Sequence, residues 1–215
     1  MTAAVSNFAV DVVDRHAKDP GRVALRWQKA GAVATDVTFL DLKIRSEKVA
    51  HVLHRHGVRP GHRVFILLPP CIAWWESVVG CMRAGAVAAL GQDASQARLL
   101  KDQIIQSRST LVIASASLAD QVGGITDDCP GIAHWFSVGW EREGWVDYDR
   151  RVSLAPAGFE AVETRETDPC IVVFDQGTSA SGTTHRHGEE GYDLEQLDAW
   201  RDGLAIAVHD ASEHP

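Results

Sequence analysis

Short apolar runs alternate with amphipathic segments along most of the chain. Runs of five or more mostly apolar residues lie at 64–68 (VFILL), 86–90 (AVAAL), 110–114 (TLVIA), 132–138 (IAHWFSV) and 170–174 (CIVVF). Runs without charge are typical of strands buried on both faces of a parallel sheet. Segments with helical spacing of apolar residues separate the first three runs, over about 71–84 and 95–107. This order predicts an α/β fold with a layered, largely parallel sheet flanked by helices.

The N-terminal part shows a different pattern, which predicts a helix, a hairpin and a second helix. Apolar positions over 7–17 fit one helical face. Two β-rich segments, 23–27 and 32–39, surround the turn residues Lys-Ala-Gly and predict a β-hairpin. A long amphipathic helix is predicted over 40–56, followed by a glycine stop. Its apolar stripe consists of Leu42, Val49, Val52 and Leu53.

The periodic pattern weakens after residue 138, although we interpret residues 1–215 as a single domain. Residues 139–168 are charged and interrupted by Gly and Pro, which predicts an irregular excursion with at most one short helix. Leucines at helical spacing predict a helix over 191–208. The polar residues 209–215 are expected to form a frayed tail.

Charge and composition exclude several classes of partner. The chain has 21 basic and 29 acidic residues, a formal net charge of −8, which disfavours nucleic acid and anionic membranes. No apolar run approaches the length of about 18 residues that a membrane-spanning helix requires. The N-terminus lacks the pattern of a signal peptide, and the four cysteines form no CxxC motif. These features predict free thiols and a cytoplasmic location.

One loop carries the clearest candidate chemistry. The stretch FDQGTSASGTTHRHG, residues 174–188, follows an apolar run and is crowded with Gly, Ser and Thr. Such a strand and loop are typical of a site that holds phosphates through backbone N–H groups. The loop contains no lysine, however, and Asp175 stands at its beginning.

The segment RVFILLPPCIAWWESVVGCMRAGAVAALG, residues 63–91, resembles adenylate-forming enzymes, most closely medium-chain acyl-CoA synthetases. The strand ending in LP, the paired tryptophans and GCMRAGAV carry the resemblance. Upstream, RVALRW and the helix that follows it also fit, and downstream QSRSTLVIAS, CPGIAHWFSVG and ETDPCIVVF match the following strands. The resemblance covers nearly the whole chain and implies the N-terminal subdomain of an AMP-forming acid-CoA ligase.

The same resemblance gives the loop its expected role. In the family the loop reads [YF]-T-S-G-T-[TS]-G-x-P-K and holds the ATP phosphates. Phe174 takes the aromatic place, with Gly177 to Ser179 as the central letters. Asp175 and Gln176 then replace T-S, Ala180 replaces Gly, and Gly182-Thr183 replaces P-K. The implied phosphate-binding residues are Gly177, Thr178, Ser179, Ser181, Gly182 and Thr183. A second register would give the central letters to residues 181–184.

These departures predict weak or absent binding of ATP and Mg²⁺. A carboxylate near a triphosphate costs about 1–4 kcal/mol at surface-like dielectric. Loss of a charged phosphate contact removes about 1.5–3 kcal/mol more. Arg186 is the one nearby cation that could replace the lysine.

Full members of the family extend well beyond this length and carry the adenine-binding motif, the acyl pocket and a catalytic lysine there. The resemblance therefore predicts a truncated protein that is inactive alone, contains no catalytic residue of its own and does not bind CoA. A homo-oligomer or a partner chain is expected to cover the exposed face of the subdomain.

Two other functions remain open on the residues alone. The first is a non-catalytic interaction or regulatory module. The second is a small serine hydrolase with Ser179 in a nucleophile elbow, for which the candidate triad partners are Asp198, Asp202, Asp210, His209 and His214.

The remaining histidines and tryptophans are assigned structural roles. No metal site is predicted: the sets His185, His187, Glu189, Glu190 and His51, His54, His56 are interpreted as solvated or capping side chains. Of the adjacent Trp74 and Trp75, one is expected in the core and the other at the surface.

Overall fold

A computed structural model describes residues 4–29, 33–91, 97–118, 122–174, 182–189, 199–200 and 205–210. Its strands are β1 (Val23–Lys29), β2 (Thr35–Thr38), β3 (Arg63–Leu67), β4 (Val87–Leu90), β5 (Leu111–Ser115), β6 (His134–Val138), β7 (Val146–Asp147), β8 (Pro169–Phe174), β9 (Gly182–Arg186) and β10 (Ile206–Asp210). Its helices are α1 (Phe39–Arg55), α2 (Ile72–Arg83), α3 (Ala97–Ser107) and α4 (Tyr148–Leu154), with a π-helical segment at Ala9–Asp14 and a 3₁₀ turn at Ala116–Leu118.

Seven strands form one sheet in the order β7-β6-β5-β3-β4-β8-β9, and every pairing except β8–β9 is parallel. Val64 and Ile66 of β3 face the core under α1 and α2, whereas Phe65 and Leu67 face the core under α3. Both faces are buried because helices cover each side, so the strand needs apolar residues at every position. The predicted α/β fold is confirmed.

A second, smaller sheet has the order β10-β1-β2. The antiparallel pairing of β1 with β2 confirms the predicted hairpin. β10 lies parallel to β1, in a register that runs from Leu25 opposite Ile206 to Lys29 opposite Asp210.

This pairing corrects two expectations for the end of the chain. The helix predicted over 191–208 does not reach 208, because residues 206–208 belong to β10. The polar tail predicted for 209–215 begins inside the same strand. Ile206 and Val208 are buried and Ala207 is exposed, a period of two rather than 3.6. The rest of the predicted helix, except residues 199, 200 and 205, lies outside the described residues.

The excursion over 139–168 contains β7 and α4, one short helix as predicted. The Asp147 side chain caps α4 by accepting from the backbone N–H of Arg150 at 3.0 Å. Tyr148, at the start of α4, is buried. Its hydroxyl lies 2.8 Å from Ser77 Oγ and donates to Glu76 Oε1 at 3.1 Å, so the excursion docks on α2 through buried polar contacts.

Glu76 itself is a carboxylate in the interior. Only 5% of it is exposed, and Arg45 of α1 contacts Glu76 Oε2 at 3.3 Å. Burial raises the pKa of the Glu76 carboxyl, and the nearby Arg45 guanidinium offsets only part of that effect. Glu76 thus links α1, α2 and α4 through its contacts with Arg45 and Tyr148. Its buried surroundings favour the protonated carboxyl more than water does.

A buried cation holds the N-terminal helices together. Arg83 is 1% exposed, and its guanidinium donates two hydrogen bonds to the Asp14 carboxylate, at 2.6 and 3.0 Å, and a third to Ser46 Oγ at 3.2 Å. One turn earlier, a Cβ added to Gly80 would lie 2.5 Å from Val49 Cγ1, so α1 and α2 pack at close range. The two contacts fix the π-helical segment, α1 and α2 relative to each other.

We expect Arg83→Met to lower the free energy of unfolding by about 3–5 kcal/mol, because it leaves the partly buried Asp14 carboxylate without its cation. Urea unfolding followed by tryptophan fluorescence measures the change. The matched control is Arg26→Met, which breaks the Arg26–Asp36 pair at 2.8 Å on the surface. The control should change stability far less, and equal losses in the two variants would contradict the role of burial.

Stability should also depend on pH through Glu76. The folded state binds this proton more tightly than the unfolded state, whose pKa is near 4.5. The stability that the protonated carboxyl contributes is therefore full below that pH and is lost as the pH rises through the raised folded pKa. We expect the free energy of unfolding of the native protein, relative to Glu76→Gln, to fall over this range. Parallel pH profiles of the free energy of unfolding, from denaturant titrations of the two proteins, would contradict this role of Glu76.

Candidate nucleotide-binding site

The candidate loop follows β8 at the carboxyl edge of the parallel sheet, where open α/β sheets bind their ligands. β8 ends at Phe174, which is 2% exposed and packs against Phe65 of β3 with ring centroids 6.0 Å apart. A Cβ added to Gly91, just after β4, would lie 2.4 Å from the Phe65 ring. The neighbouring strand ends therefore form a tight apolar base for the loop.

The tip of the loop, residues 175–181, lies outside the described residues. This range contains Gly177, Thr178, Ser179 and Ser181, so their predicted phosphate contacts stay predictions. Asp175, the carboxylate expected to repel phosphate, lies there too.

Gly182 and Thr183, the other two predicted site residues, lie at the start of β9, directly after the loop. They pair with Phe174 and Val173 of β8. A Cβ added to Gly182 would lie 2.7 Å from Val172 Cγ1 and 3.1 Å from the Val173 carbonyl oxygen, so glycine permits the close approach of the two strands. The second register would place residues 182–184 in the cradling loop. In the structure residues 182–184 pair with β8, and the phosphate contacts predicted for Gly182 and Thr183 stay predictions.

Arg186 lies at the other end of β9. Its backbone is opposite Pro169, and its Nη1 contacts Glu189 Oε1 at 3.2 Å. It lies four residue steps along the strand from Gly182, about 14 Å at ~3.4 Å per step. The hypothesis that Arg186 replaces the missing lysine is therefore not supported by its position.

The two histidines after the loop are buried, which corrects the expectation that they are solvated. His185 and His187 are 5% and 1% exposed. His185 Nδ1 lies 3.4 Å from Glu189 Oε2, while His187 Nδ1 accepts from the backbone N–H of Phe8 at 3.3 Å. His187 thus caps the start of the N-terminal π-helical segment. Capping is one of the two roles expected for these histidines. In the described part of the chain no cluster of His, Cys, Asp or Glu could hold a metal ion.

The remaining histidines and the adjacent tryptophans contact other aromatic rings. His51 and His54 lie against the Phe159 ring, and His56 lies between His134 and Phe136. Trp75 is buried in the core and Trp74 is only partly buried, as predicted. Cys81, Cys129 and Cys170 are buried and Cys71 is partly buried, and no disulfide joins any of these four described cysteines.

The described residues assemble no serine-hydrolase triad. Ser179, Asp198, Asp202 and His214 lie outside the described residues. His209 and Asp210 lie in β10, which belongs to the small sheet rather than to the sheet that carries the loop. No described helix is long and apolar enough to cross a membrane.

Sequence reasoning missed the buried polar groups Glu76, Tyr148 and Arg83. Their signal was present in the sequence, because Glu76 and Arg83 interrupt the apolar face of a helix that is otherwise buried. A charged residue at such a position requires a buried partner.

The chain is similar in sequence to a known enzyme family and to curated proteins. A family model described as AMP-binding enzyme matches residues 13–185. The mitochondrial acyl-coenzyme A synthetase ACSM5 of Mus musculus is 30% identical over 212 residues, covering 95% of this chain and 37% of the relative. The mitochondrial acyl-coenzyme A synthetase ACSM4 of Rattus norvegicus is 28% identical over 191 residues, covering 85% of this chain and 33% of the relative.

Solved structures share the fold. The Brucella canis acyl-CoA synthetase superposes with a TM-score of 0.86 at 18% identity, covering 98% of this chain and 44% of that structure. The acetoacetyl-CoA synthetase of Streptomyces lividans superposes with a TM-score of 0.85 at 18% identity, covering 96% and 38%. This chain spans little more than a third of the length of the curated relatives it matches.

Proposed function

Because the chain belongs to the AMP-binding enzyme family, we propose that it is an acyl-CoA synthetase-like protein that provides the first α/β layer of a carboxylate-activating site. The observation that carries the proposal is the family match over residues 13–185, which includes β8, the loop and most of β9. We further propose that the 215-residue chain by itself does not activate a carboxylate. The relatives devote more than half of their length to residues that have no counterpart here.

The described residues support a weak phosphate site. The nearest cation on β9, Arg186, is at the far end of the strand and contacts Glu189. Phosphate contacts would therefore come from backbone N–H groups and hydroxyls of the loop, without a lysine. Neutral donors bind phosphate less strongly than charged ones. The expectation that CoA does not bind this chain stays a prediction, as does the cytoplasmic location, since the curated relatives are named mitochondrial.

We expect calorimetry of the purified chain with ATP and Mg²⁺ to show binding no tighter than millimolar. The double variant Asp175→Thr, Thr183→Lys restores the family letters at the two most damaging positions. It should bind ATP at least about tenfold more tightly, because a charged phosphate contact is worth about 1.5–3 kcal/mol. Thr178→Ala in that background should remove the gain.

The matched control places the lysine one residue further, as Asp175→Thr, Thr184→Lys. Successive side chains of a strand point to opposite faces, so this variant has the same charge but should gain less affinity. Equal gains would indicate a non-specific charge effect and contradict the proposed site. Absence of binding in all variants would instead favour an interaction or regulatory module over a nucleotide site.

A further inference from the structure

A groove opens at the amino edge of the large sheet, opposite the edge that carries the nucleotide loop. It lies between the end of α3, the turn into β5 and the segment that leads into β6, and its volume is about 510 Å³. Ligand pockets are typically about 300–1,000 Å³. We refer to it as the α3–β5 groove; its main side chains are Ile104, Ile105, Arg108, Pro130 and Ile132.

The lining of the groove is mainly aliphatic. Ile104 is buried and Ile132 partly buried, whereas Ile105 is 51% exposed although it is a large hydrophobic side chain. An exposed apolar side chain that lines a concave surface gains free energy when a ligand displaces the water around it. The groove therefore favours an apolar ligand body.

Among the described residues that line the groove, Arg108 is the one basic side chain. Arg108 is exposed, and within the described part of the chain its guanidinium forms no ion pair. Its backbone is in the left-handed region with φ 53°, and its N–H donates to the Ile105 carbonyl at 3.1 Å, so a tight turn presents it beside the exposed isoleucine.

The other charged side chain that lines the groove, Asp128, is already ion-paired. Asp128 lines it, but its Oδ2 contacts Lys101 Nζ at 3.0 Å. Arg63, nearby, donates to the Ser107 carbonyl at 3.1 Å.

We propose that the α3–β5 groove binds a small amphipathic carboxylate, with its hydrocarbon body on the isoleucines and its carboxylate on Arg108. Arginine suits this head group because its planar fork of donors matches a carboxylate. The site is separate from the proposed nucleotide site, since the two lie at opposite edges of the sheet, and it does not depend on that function.

The test is a titration of the ¹⁵N-labelled chain with octanoate, followed by NMR and calorimetry. We expect saturable shifts in the backbone amides of residues 104–110, Cys129, Gly131 and Ile132. Arg108→Gln should weaken binding about tenfold, the effect of losing a charge-assisted contact, and Ile105→Ser should also weaken it. The uncharged homologue 1-octanol should bind about tenfold more weakly than octanoate. Circular dichroism checks that each variant is folded.

Arg151→Gln is the matched control, since it removes an exposed arginine from α4, outside the groove, and should leave octanoate affinity unchanged. The Thr183→Lys variant should also leave it unchanged, which separates this site from the ATP site. Unchanged affinity in Arg108→Gln, or shifts centred elsewhere, would overturn the proposal. So would binding to anionic phospholipid vesicles without binding to free octanoate.

Discussion

The buried guanidinium of Arg83 is the interaction on which the arrangement of the helical layer depends. It contacts Asp14 of the N-terminal segment and Ser46 of α1 from its own position at the end of α2. The Arg83 carbonyl oxygen accepts from the backbone N–H of Val162 at 2.9 Å, so the end of the excursion returns to the same point before β8 begins. Charge burial of this kind is costly unless every donor is satisfied. Because the partners come from three separate parts of the chain, Arg83 holds them in one arrangement.

The strand order determines where the candidate nucleotide loop begins. β8 lies between β4 and β9, and its carboxyl end meets those of β3 and β4. The pairing of Gly182 with Phe174 closes the hairpin directly below the loop, and only a residue without Cβ fits there against Val172. The same register carries Arg186 to the far end of β9. Strand geometry therefore fixes the point at which the loop begins and keeps Arg186, the cation on β9, at the other end of the strand.

Much of this fold could be predicted from the sequence, because local patterns determine it. Strands without charge, such as β3, predict two covered faces, and the hairpin and α1 follow from their turn and stop residues. β10 could not be predicted this way, since its partner Leu25 lies some 180 residues from Ile206, and Leu204 continues a helical spacing into it. The burial of His187 has the same cause: it caps Phe8, which is distant in sequence. For the candidate site, the motif predicted the loop, but the position of Arg186 needed the hairpin register.

The two proposed anion sites illustrate how a chain of net charge −8 can still bind anions. Long-range attraction is absent, so affinity must come from donors within contact distance. At the carboxyl edge the proposed donors are backbone N–H groups and hydroxyls of the loop, and in the sequence the carboxylate of Asp175 stands beside them. At the amino edge the donor is the guanidinium of Arg108, and the carboxylate beside it, Asp128, is already paired with Lys101. In these proposals a monoanion on the amino edge therefore meets less opposing charge than a triphosphate on the carboxyl edge, and the isoleucines of the α3–β5 groove offer apolar contact to its hydrocarbon body.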